Sequence, residues 1–266
     1  MKNLKLLLVS LVILFSHNLT MGQGSKGNEK ERSAVKSALN AFKFRSIGPA
    51  FMSGRIADIA IDPTNENVWY VAVGSGGVWK TENAGTTWNP IADNMPFYST
   101  GCITIDPGNN SSIWLGTGEN VGGRHVGIGH GIYHSSDAGK SWKNMGLKKS
   151  EHISKIIVHP NNPNVIWVAA QGPLWSSGGD RGLFKSVDGG KTWENKLEIN
   201  EWTGVTDLVI NPENPNILYL ASWQRHRNVA ALMDGGPGTA LYKSVDGGEN
   251  WKKINNGLPG SNMGKI

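Results

Sequence analysis

The sequence contains little cysteine, little charge and few long apolar runs. Cys102 is the only cysteine among 266 residues. A single thiol excludes an internal disulfide and cannot by itself form a zinc site, so we expect Cys102 to be a small buried side chain. Charged residues make up 18% of the chain and the formal net charge is +5, without a stripe of lysine or arginine. Nucleic acid is therefore not an expected partner.

The longest apolar stretch lies at the N-terminus. Two lysines precede apolar residues 6–15, and small residues then precede Gln23. The stretch is short for a membrane span and has the layout of a secretory signal. We expect a signal peptide over 1–22, a flexible linker over 23–41 and no stable membrane span, with an N-terminal anchor as the alternative. The protein is then exported, to the periplasm, the cell surface or the medium.

Glycine and tryptophan are abundant, with 35 and 11 residues, and this composition suits many short strands joined by tight turns. The pattern Ser/Thr-x-Asp/Asn-x-Gly-x-x-Trp occurs four times, at 81–88, 135–142, 186–193 and 244–251. Its copies are about 50 to 60 residues apart, a period typical of β-propeller blades. The sequence therefore predicts an all-β protein.

A second repeat lies in phase with the first. An apolar strand followed by a Pro turn occurs at 59–65, 103–109, 156–162 and 208–214, and a further apolar strand follows each turn. These units predict four-stranded antiparallel blades near 56–92, 101–145, 153–199 and 205–256, within a propeller over 42–266 that opens with a strand at 42–47. In a meander, the connections between second and third strands share one face of the propeller.

Each turn of the first repeat has a structural role. The acidic or amide side chain can accept bonds from the backbone of the turn, glycine provides a positive φ angle, and tryptophan caps the hairpin. The residues predicted to hold the turns are Asn83, Trp88, Asp137, Trp142, Asp188, Trp193, Asp246 and Trp251.

These turns resemble the Asp-box, or bacterial-neuraminidase-repeat, motif. Other segments resemble sortilin-like repeat proteins that bacteria secrete and that are loosely described as glycosyl hydrolases. They are Phe-Arg-Ser-Ile-Gly-Pro at 44–49, Ser-Gly-Arg-Ile at 53–56, Gly-Thr-Gly-Glu-Asn at 116–120, Arg-Gly-Leu-Phe-Lys at 181–185 and Trp-Gln-Arg at 223–225. The resemblance covers about residue 42 to the end and implies an extracellular propeller, usually within a much longer chain.

Four blades rarely close a ring of this type, and an unclosed arc exposes an edge strand that invites pairing. We expect a fragment of a longer protein, in preference to a partial ring that associates with another copy through its open edge.

The loops between second and third strands, at 118–129, 171–180 and 223–239, are the part of the sequence that does not repeat. Such loops on a rigid scaffold are where function concentrates. Their indoles and cations predict a ligand-binding face for a polysaccharide or an extracellular protein or peptide. The candidate binding residues are Arg124, His125, Trp175, Arg181, Trp223, Arg225 and Arg227. The alternative is that these loops only pack between blades.

Hydrolysis of a glycosidic bond requires two carboxylates, and the candidates on this face are Glu119, Asp180 and Asp234. The resemblance to two-propeller xyloglucanases implies a catalytic Asp after the second strand of the first blade, where this chain has Gly74. A resemblance to sialidases at 44–49 is weaker still. His125 and His130 lack the spacing of a metal site, so we expect no metal and no cofactor.

The sequence thus favours a secreted sortilin-like propeller that binds a glycan or peptide. A glycoside hydrolase, xyloglucanase-like or sialidase-like, whose active site lies partly outside this chain is the first alternative. A scaffold for envelope assembly is the second.

Overall fold

Residues from Ile56 to Lys253 form four antiparallel sheets, each built from one continuous stretch of chain. The computed structural model describes residue 37 and residues 54–260 and 263–266. The predicted leader, the linker apart from residue 37 and the predicted strand at 42–47 lie outside the described residues. The four sheets are called blades 1 to 4 in chain order.

Blade 1 contains β1 (Ile56–Ile61), β2 (Trp69–Val73), β3 (Gly77–Thr81) and β4 (Asn89–Pro90). Blade 2 contains β5 (Thr100–Asp106), β6 (Asn109–Thr117), β7 (Ile132–Ser135) and β8 (Lys143–Gly146). Blade 3 contains β9 (Ile153–His159), β10 (Asn162–Gln171), β11 (Arg181–Ser186) and β12 (Glu194–Leu197). Blade 4 contains β13 (Thr203–Ile210), β14 (Leu218–Gln224), β17 (Ala240–Ser244) and β18 (Lys252–Lys253), with a separate hairpin of β15 (His226–Arg227) and β16 (Leu232–Met233).

Each blade is a meander, because its strands pair in the order in which they follow one another in the chain. The prediction of an all-β propeller arc with four-stranded blades is confirmed. The core lies between the blades as three clusters of buried side chains, one at each blade–blade boundary. Cys102 is 1% exposed in one of them, as predicted.

The alternation of side chains along each first strand produces this packing, since successive residues of a strand point to opposite faces of the sheet. Ile156 and Val158 of β9 belong to the cluster between blades 2 and 3. Ile157, between them, packs against the cluster between blades 3 and 4. A single strand therefore contributes to two interfaces.

The Asp turns between third and fourth strands are closed by their own side chains. In blade 2, the Asp137 carboxylate accepts bonds from the Ser135 hydroxyl and the Ser141 N–H, both at 2.8 Å. The Ser135 hydroxyl accepts from the N–H of Gly139, which has a φ of 88°. The hydrogen bonds lower the pKa of Asp137 to about 2, the Ser141 hydroxyl having the largest effect.

The tryptophan of the turn also joins neighbouring blades. The indole N–H of Trp142 in blade 2 donates to the Ile91 carbonyl at 3.1 Å, and that of Trp193 in blade 3 donates to the Met145 carbonyl at 2.7 Å. In each case the acceptor belongs to the preceding blade. The indole of Trp251 donates instead to Gly248 in its own turn. The predicted cap of the hairpin is thus also a bond between blades.

Candidate functional site

The connections between second and third strands are at 74–76, 118–131, 172–180 and 225–239. They emerge at one end of the blades, which we call the loop face, because the Asp turns and Pro turns lie at the other end. Two strands extend further than the sequence predicted. Gln171 is the last residue of β10, and Trp223 lies within β14.

The blade-2 loop crosses the arc and contacts blades 3 and 4. The Asn120 side-chain amide donates to the Thr206 carbonyl at 3.4 Å and accepts a hydrogen bond from Gln171. The backbone carbonyl of Asn120 accepts a bond from Lys265 Nζ at 2.8 Å. This loop therefore ties blade 2 to blades 3 and 4 and to Lys265.

A cavity of about 230 Å³ lies below Asn120, lined by the first strands of all four blades. Its charged side chains include Asp58, Lys155 and Asp207. These three residues hold the same position in the first strands, directly before the repeated apolar pair. These three residues cannot be predicted from the loop sequences. Their position, directly before the apolar pair of each first strand, recurs in the same repeat that predicted the blades.

Trp223 and Arg225 are buried beneath the blade-2 loop. They are 3% and 0% exposed, and the Arg225 guanidinium lies 5.2 Å from the Trp223 ring centre. Arg225 donates to the Val121 carbonyl at 2.7 Å. Burial, and then the charge of Arg181, lowers the pKa of Arg225 to about 9. The expectation that Trp223 and Arg225 reach a ligand is corrected here, because both side chains are buried and the Arg225 guanidinium binds the backbone of the loop.

Arg181 is also a structural residue, with 3% exposure. Its guanidinium donates to four backbone carbonyls of the blade-3 loop and the strand before it, those of Gln171, Pro173, Ser176 and Gly178. Burial lowers its pKa to about 10. Arg181 thus fixes the shape of the loop from within and does not face a ligand, which corrects the sequence-based expectation.

The three candidate carboxylates differ in their surroundings. Glu119 is 2% exposed, accepts from Arg55 Nη2 at 2.5 Å and from the Gly127 N–H at 2.8 Å. Asp180 is partly buried and accepts from the Lys149 N–H at 2.9 Å. Asp234 is exposed. Two of the three are therefore already engaged in contacts that hold loops.

The exposed part of the loop face is centred on Trp175, whose side chain is 42% exposed. The blade-3 and blade-4 loops meet here, since the Arg227 N–H donates to the Leu174 carbonyl at 2.9 Å. Next to Arg227, the His226 ring lies 4.1 Å from the Trp202 ring. We call Trp175, Trp202, His226 and Arg227 the aromatic patch. Trp175 and Arg227 are predicted from the sequence, whereas Trp202 lies outside the long loops and was not predicted.

The hairpin of β15 and β16 extends this surface. It exposes Val229, Leu232 and Met233, of which Val229 is 81% exposed. Arg124 and His125 are exposed on the blade-2 loop. The structure therefore leaves four predicted binding residues accessible to a ligand: Arg124, His125, Trp175 and, in part, Arg227.

Four-stranded blades, Asp turns and a face of long loops define a β-propeller repeat protein. A family model described as sortilin, neurotensin receptor 3 (Sortilin-Vps10) matches residues 130–263. The chain belongs to the sortilin–Vps10 family.

Curated relatives are xyloglucanases. A probable oligoxyloglucan-reducing end-specific xyloglucanase from Neosartorya fischeri is 24% identical over 239 residues, which is 84% of this chain and 26% of the relative. A xyloglucanase from Acetivibrio thermocellus is 22% identical over 228 residues, 74% of this chain and 25% of the relative. The chain thus spans about a quarter of the length of each of these two relatives.

Solved structures show the same fold. The GH74 xyloglucanase from Xanthomonas campestris superimposes with a TM-score of 0.54 at 18% identity, over 74% of this chain and 29% of that one. An ancestral GH74 enzyme superimposes with a TM-score of 0.59 at 18% identity, over 78% of this chain and 26% of that one. These structures show that the chain has a β-propeller fold like that of the GH74 enzymes. Within the described residues, no helix has the length and apolar character needed to cross a bilayer.

Proposed function

We propose that the chain binds a polysaccharide of the xyloglucan class through the aromatic patch. The observation that supports this is the exposed indole of Trp175, at 42%, on a loop that Arg181 holds rigidly from within. A large flat apolar ring with one polar edge suits the faces of sugar rings, and a rigid loop loses little entropy on binding.

The neighbours of Trp175 complete such a surface. Arg227 is partly exposed beside it and offers fork-shaped donors to hydroxyl or acidic groups. The hairpin residues Val229, Leu232 and Met233 add exposed apolar area. Exposed aromatic and apolar side chains beside polar groups are typical of a binding site.

The class of ligand is inferred from the relatives, whose names describe enzymes that act on xyloglucan. Binding is favoured over cleavage because Glu119 and Asp180 already hold loops. Hydrolysis would need two carboxylates free to act on the scissile bond.

The test is calorimetric titration of the full chain with xyloglucan oligosaccharides. Trp175→Ala should weaken binding at least about tenfold, as expected for an aromatic side chain at the centre of a contact. Trp88→Ala is the matched control, because Trp88 is also exposed, at 36%, but belongs to an Asp turn at the opposite end of the blade. Its affinity should equal that of the wild type.

Unchanged affinity in Trp175→Ala would show that the patch is not the site. No binding of any xyloglucan fragment by the wild type would reject the ligand class. Incubation with polymeric xyloglucan should release no new reducing ends at any protein concentration, because this proposal assigns no cleavage to the described residues.

A glycoside hydrolase is the second candidate, and one contact favours it. The carboxylate of Glu119 lies against Gly74, where the resemblance to xyloglucanases places a catalytic Asp; a Cβ at Gly74 would be 2.5 Å from Oε1 of Glu119. Glu119 thus supplies an acid at this place from the next blade. If the full chain releases reducing ends, Glu119→Gln should abolish the release while xyloglucan affinity is retained.

We also propose that the protein acts after export, which the predicted signal peptide supports. Mass spectrometry of the protein secreted by its native cell tests this. The N-terminal peptide should begin at Gln23, whereas recovery of residues 1–22 in the exported protein would contradict cleavage.

A further inference from the structure

A cavity between blades 2 and 3 lies at the end of the blades opposite the loop face. It has a volume of about 420 Å³ and is bounded by the Pro turns of both blades and the Asp turn of blade 3. Its walls include a carboxylate, a hydroxyl, an indole, an imidazole and an amide, those of Asp106, Ser112, Trp114, His134 and Asn161. Both blades are complete four-stranded sheets. The size and the mixed polar and aromatic walls suit a small ligand.

A serine and a histidine in this cavity share a hydrogen bond. Ser112 of β6 and His134 of β7 lie on adjacent strands, and the distance between Ser112 Oγ and His134 Nε2 is 2.9 Å. The Trp114 ring packs against the imidazole with the ring centres 4.3 Å apart, which restricts its orientation. A hydroxyl within hydrogen-bond reach of a base is the arrangement of an activated nucleophile.

Both members of this pair depart from the repeat. The other three blades have an apolar residue in place of Ser112 and a lysine in place of His134: Val68 and Lys80, Val165 and Lys185, Ile217 and Lys243. Among the four described blades, the hydroxyl and the imidazole therefore occur together in blade 2 alone. The blade structure requires neither of them, because three blades form the same pair of strands without them.

A third departure affects the carboxylate near His134. In blade 1, Asp62 accepts a hydrogen bond at 3.1 Å from the side-chain amide of Asn110 in the next blade. Asp106 is the equivalent of Asp62 in blade 2, and the next blade has Pro163 in place of Asn110. Proline has no N–H to donate, so Asp106 cannot receive the same bond across the interface. The negative charge of Asp106 acts on His134 and raises its pKa.

His134 has the protonation state of a base. Burial has the largest effect on its pKa and lowers it from the ordinary value of 6.5; Asp106 raises it and Lys143 lowers it. The residues of blade 3 that line the cavity are uncharged. The imidazole is therefore neutral at pH 7, and in the tautomer with its proton on Nδ1 the Nε2 atom accepts from the Ser112 hydroxyl.

We propose that Ser112 is a nucleophile that cleaves esters of small acyl groups in this cavity, with His134 as its base. Ser112 Oγ forms a bond to the acyl carbon, and its proton passes to His134 Nε2. His134 gives that proton to the leaving alcohol as the ester C–O bond breaks. Water then attacks the acyl carbon, His134 takes its proton and returns it to Ser112 Oγ, and the carboxylic acid is released.

Two further residues support this chemistry. Asn161 lines the cavity from blade 3, and a side-chain amide is a suitable donor to the oxyanion that forms at the acyl carbon. Asp106 is a positioning residue, which acts through the charge that it places near His134. Cleavage of an ester releases no reducing ends, so this activity is distinguishable from hydrolysis of a glycosidic bond.

Covalent labelling of the full wild-type chain with a fluorophosphonate tests the nucleophile directly. The reagent forms a bond between its phosphorus atom and Ser112 Oγ and loses fluoride. Peptide mapping should find the adduct on Ser112. No label, or label on other residues only, overturns the proposal, and this result does not depend on the folding of any variant.

The repeat supplies two variants that are compatible with the fold. Ser112→Val introduces the residue found at 68 and 165, and His134→Lys introduces the residue found at 80, 185 and 243. Release of nitrophenolate from 4-nitrophenyl acetate should fall at least about hundredfold in each, since general-base catalysis contributes about 10²–10⁴-fold. Hydrolysis at the wild-type rate in either variant overturns the proposal.

His159→Asn is the matched control. The His159 ring also stacks on an indole, that of Trp167 at 5.8 Å, and Asn211 holds the same position in blade 4. This variant should hydrolyse the ester at the wild-type rate. A loss as large as that of His134→Lys would show that the hydrolysis does not depend on the Ser112 site, which also overturns the proposal.

The pH profile of Asp106→Asn tests the positioning residue. The turn should form, because Asn211 at the same position accepts from the Glu213 N–H at 2.8 Å. The rate of labelling of the wild type should rise with pH and level off, with a midpoint below 6.5. In Asp106→Asn the midpoint should move to lower pH, because the charge that raises the pKa of His134 is gone. An unchanged midpoint overturns the role assigned to Asp106.

Discussion

The Glu119 carboxylate occupies the space beside Gly74 that any side chain at that position would need. A Cβ on Gly74 would lie 2.5 Å from Oε1 and 3.2 Å from Cδ of Glu119. Glu119 cannot easily move aside, because Arg55 and the Gly127 N–H hold its two oxygens. The Glu119 carboxylate therefore fills the space that the missing side chain of Gly74 leaves open. This contact joins blades 1 and 2.

Gly74→Ala should destabilise the protein by roughly 1–3 kcal/mol, the usual cost of forcing an extra carbon into a packed site. Urea unfolding measures this. Gly260→Ala is the control, since nothing lies within 4 Å of a Cβ there, and it should change the free energy of unfolding by less than about 0.5 kcal/mol. In a Glu119→Ala background the cost of Gly74→Ala should become smaller, because the colliding carboxylate is gone. Equal costs in both backgrounds would contradict the steric explanation.

Glu119→Gln removes the charge of the same side chain but leaves its shape. The variant should lose about 1–3 kcal/mol of stability, since a buried acceptor of a charge-assisted bond is altered. The control is Glu82→Gln, which breaks an ion pair with Lys80 at 2.7 Å, but Glu82 is 66% exposed. Exposed pairs contribute about 0–1 kcal/mol. If the two variants lose similar amounts of unfolding free energy in urea, burial does not strengthen the ion pair between Glu119 and Arg55.

The repeats allowed the blades to be predicted because their signals are local. An Asp turn such as 135–142 is closed by its own side chains, and a Pro turn such as 103–109 separates two strands whatever lies around it. Sequence reading was less reliable for the loop face. Whether Trp223 is exposed depends on the blade-2 loop, which crosses from a residue more than a hundred positions earlier in the chain, as the Arg225 contact with Val121 shows.

Trp202 and the β15–β16 hairpin were missed for a related reason. The hairpin strands are two residues each and carry no alternating pattern long enough to recognise. Trp202 became part of the aromatic patch only because the His226 ring packs beside it. Contacts between loops of different blades have no counterpart in the repeat, so they could not be derived from it.

Trp193→Phe tests the indole bonds that join neighbouring blades. The variant leaves the Met145 carbonyl in blade 2 without its donor and should lose about 1–2 kcal/mol of stability. Trp251→Phe is the matched control, because its indole donates within its own turn, to Gly248. Urea unfolding should show a larger loss for Trp193→Phe. A larger loss for Trp251→Phe would mean that the turn, and not the blade contact, depends on the indole.

The Asp turns predict how stability depends on pH. Hydrogen bonds within the turns lower the pKa values of Asp137, Asp188 and Asp246 to about 2, from an ordinary value of 3.8. Between these values the unfolded chain binds protons that the folded chain does not. Stability from these groups is therefore fully present above pH 3.8 and is lost as the pH falls through about 2.

The variant that tests this replaces all three aspartates with asparagine. Asn83 shows that an amide closes the turn, since its Oδ1 accepts from the Thr87 N–H at 2.8 Å and the group does not titrate. The midpoint of thermal unfolding should fall less steeply with decreasing pH in the triple variant than in the wild type, while other acidic groups affect both chains equally. Parallel curves for the two proteins would show that the turns do not contribute to acid unfolding.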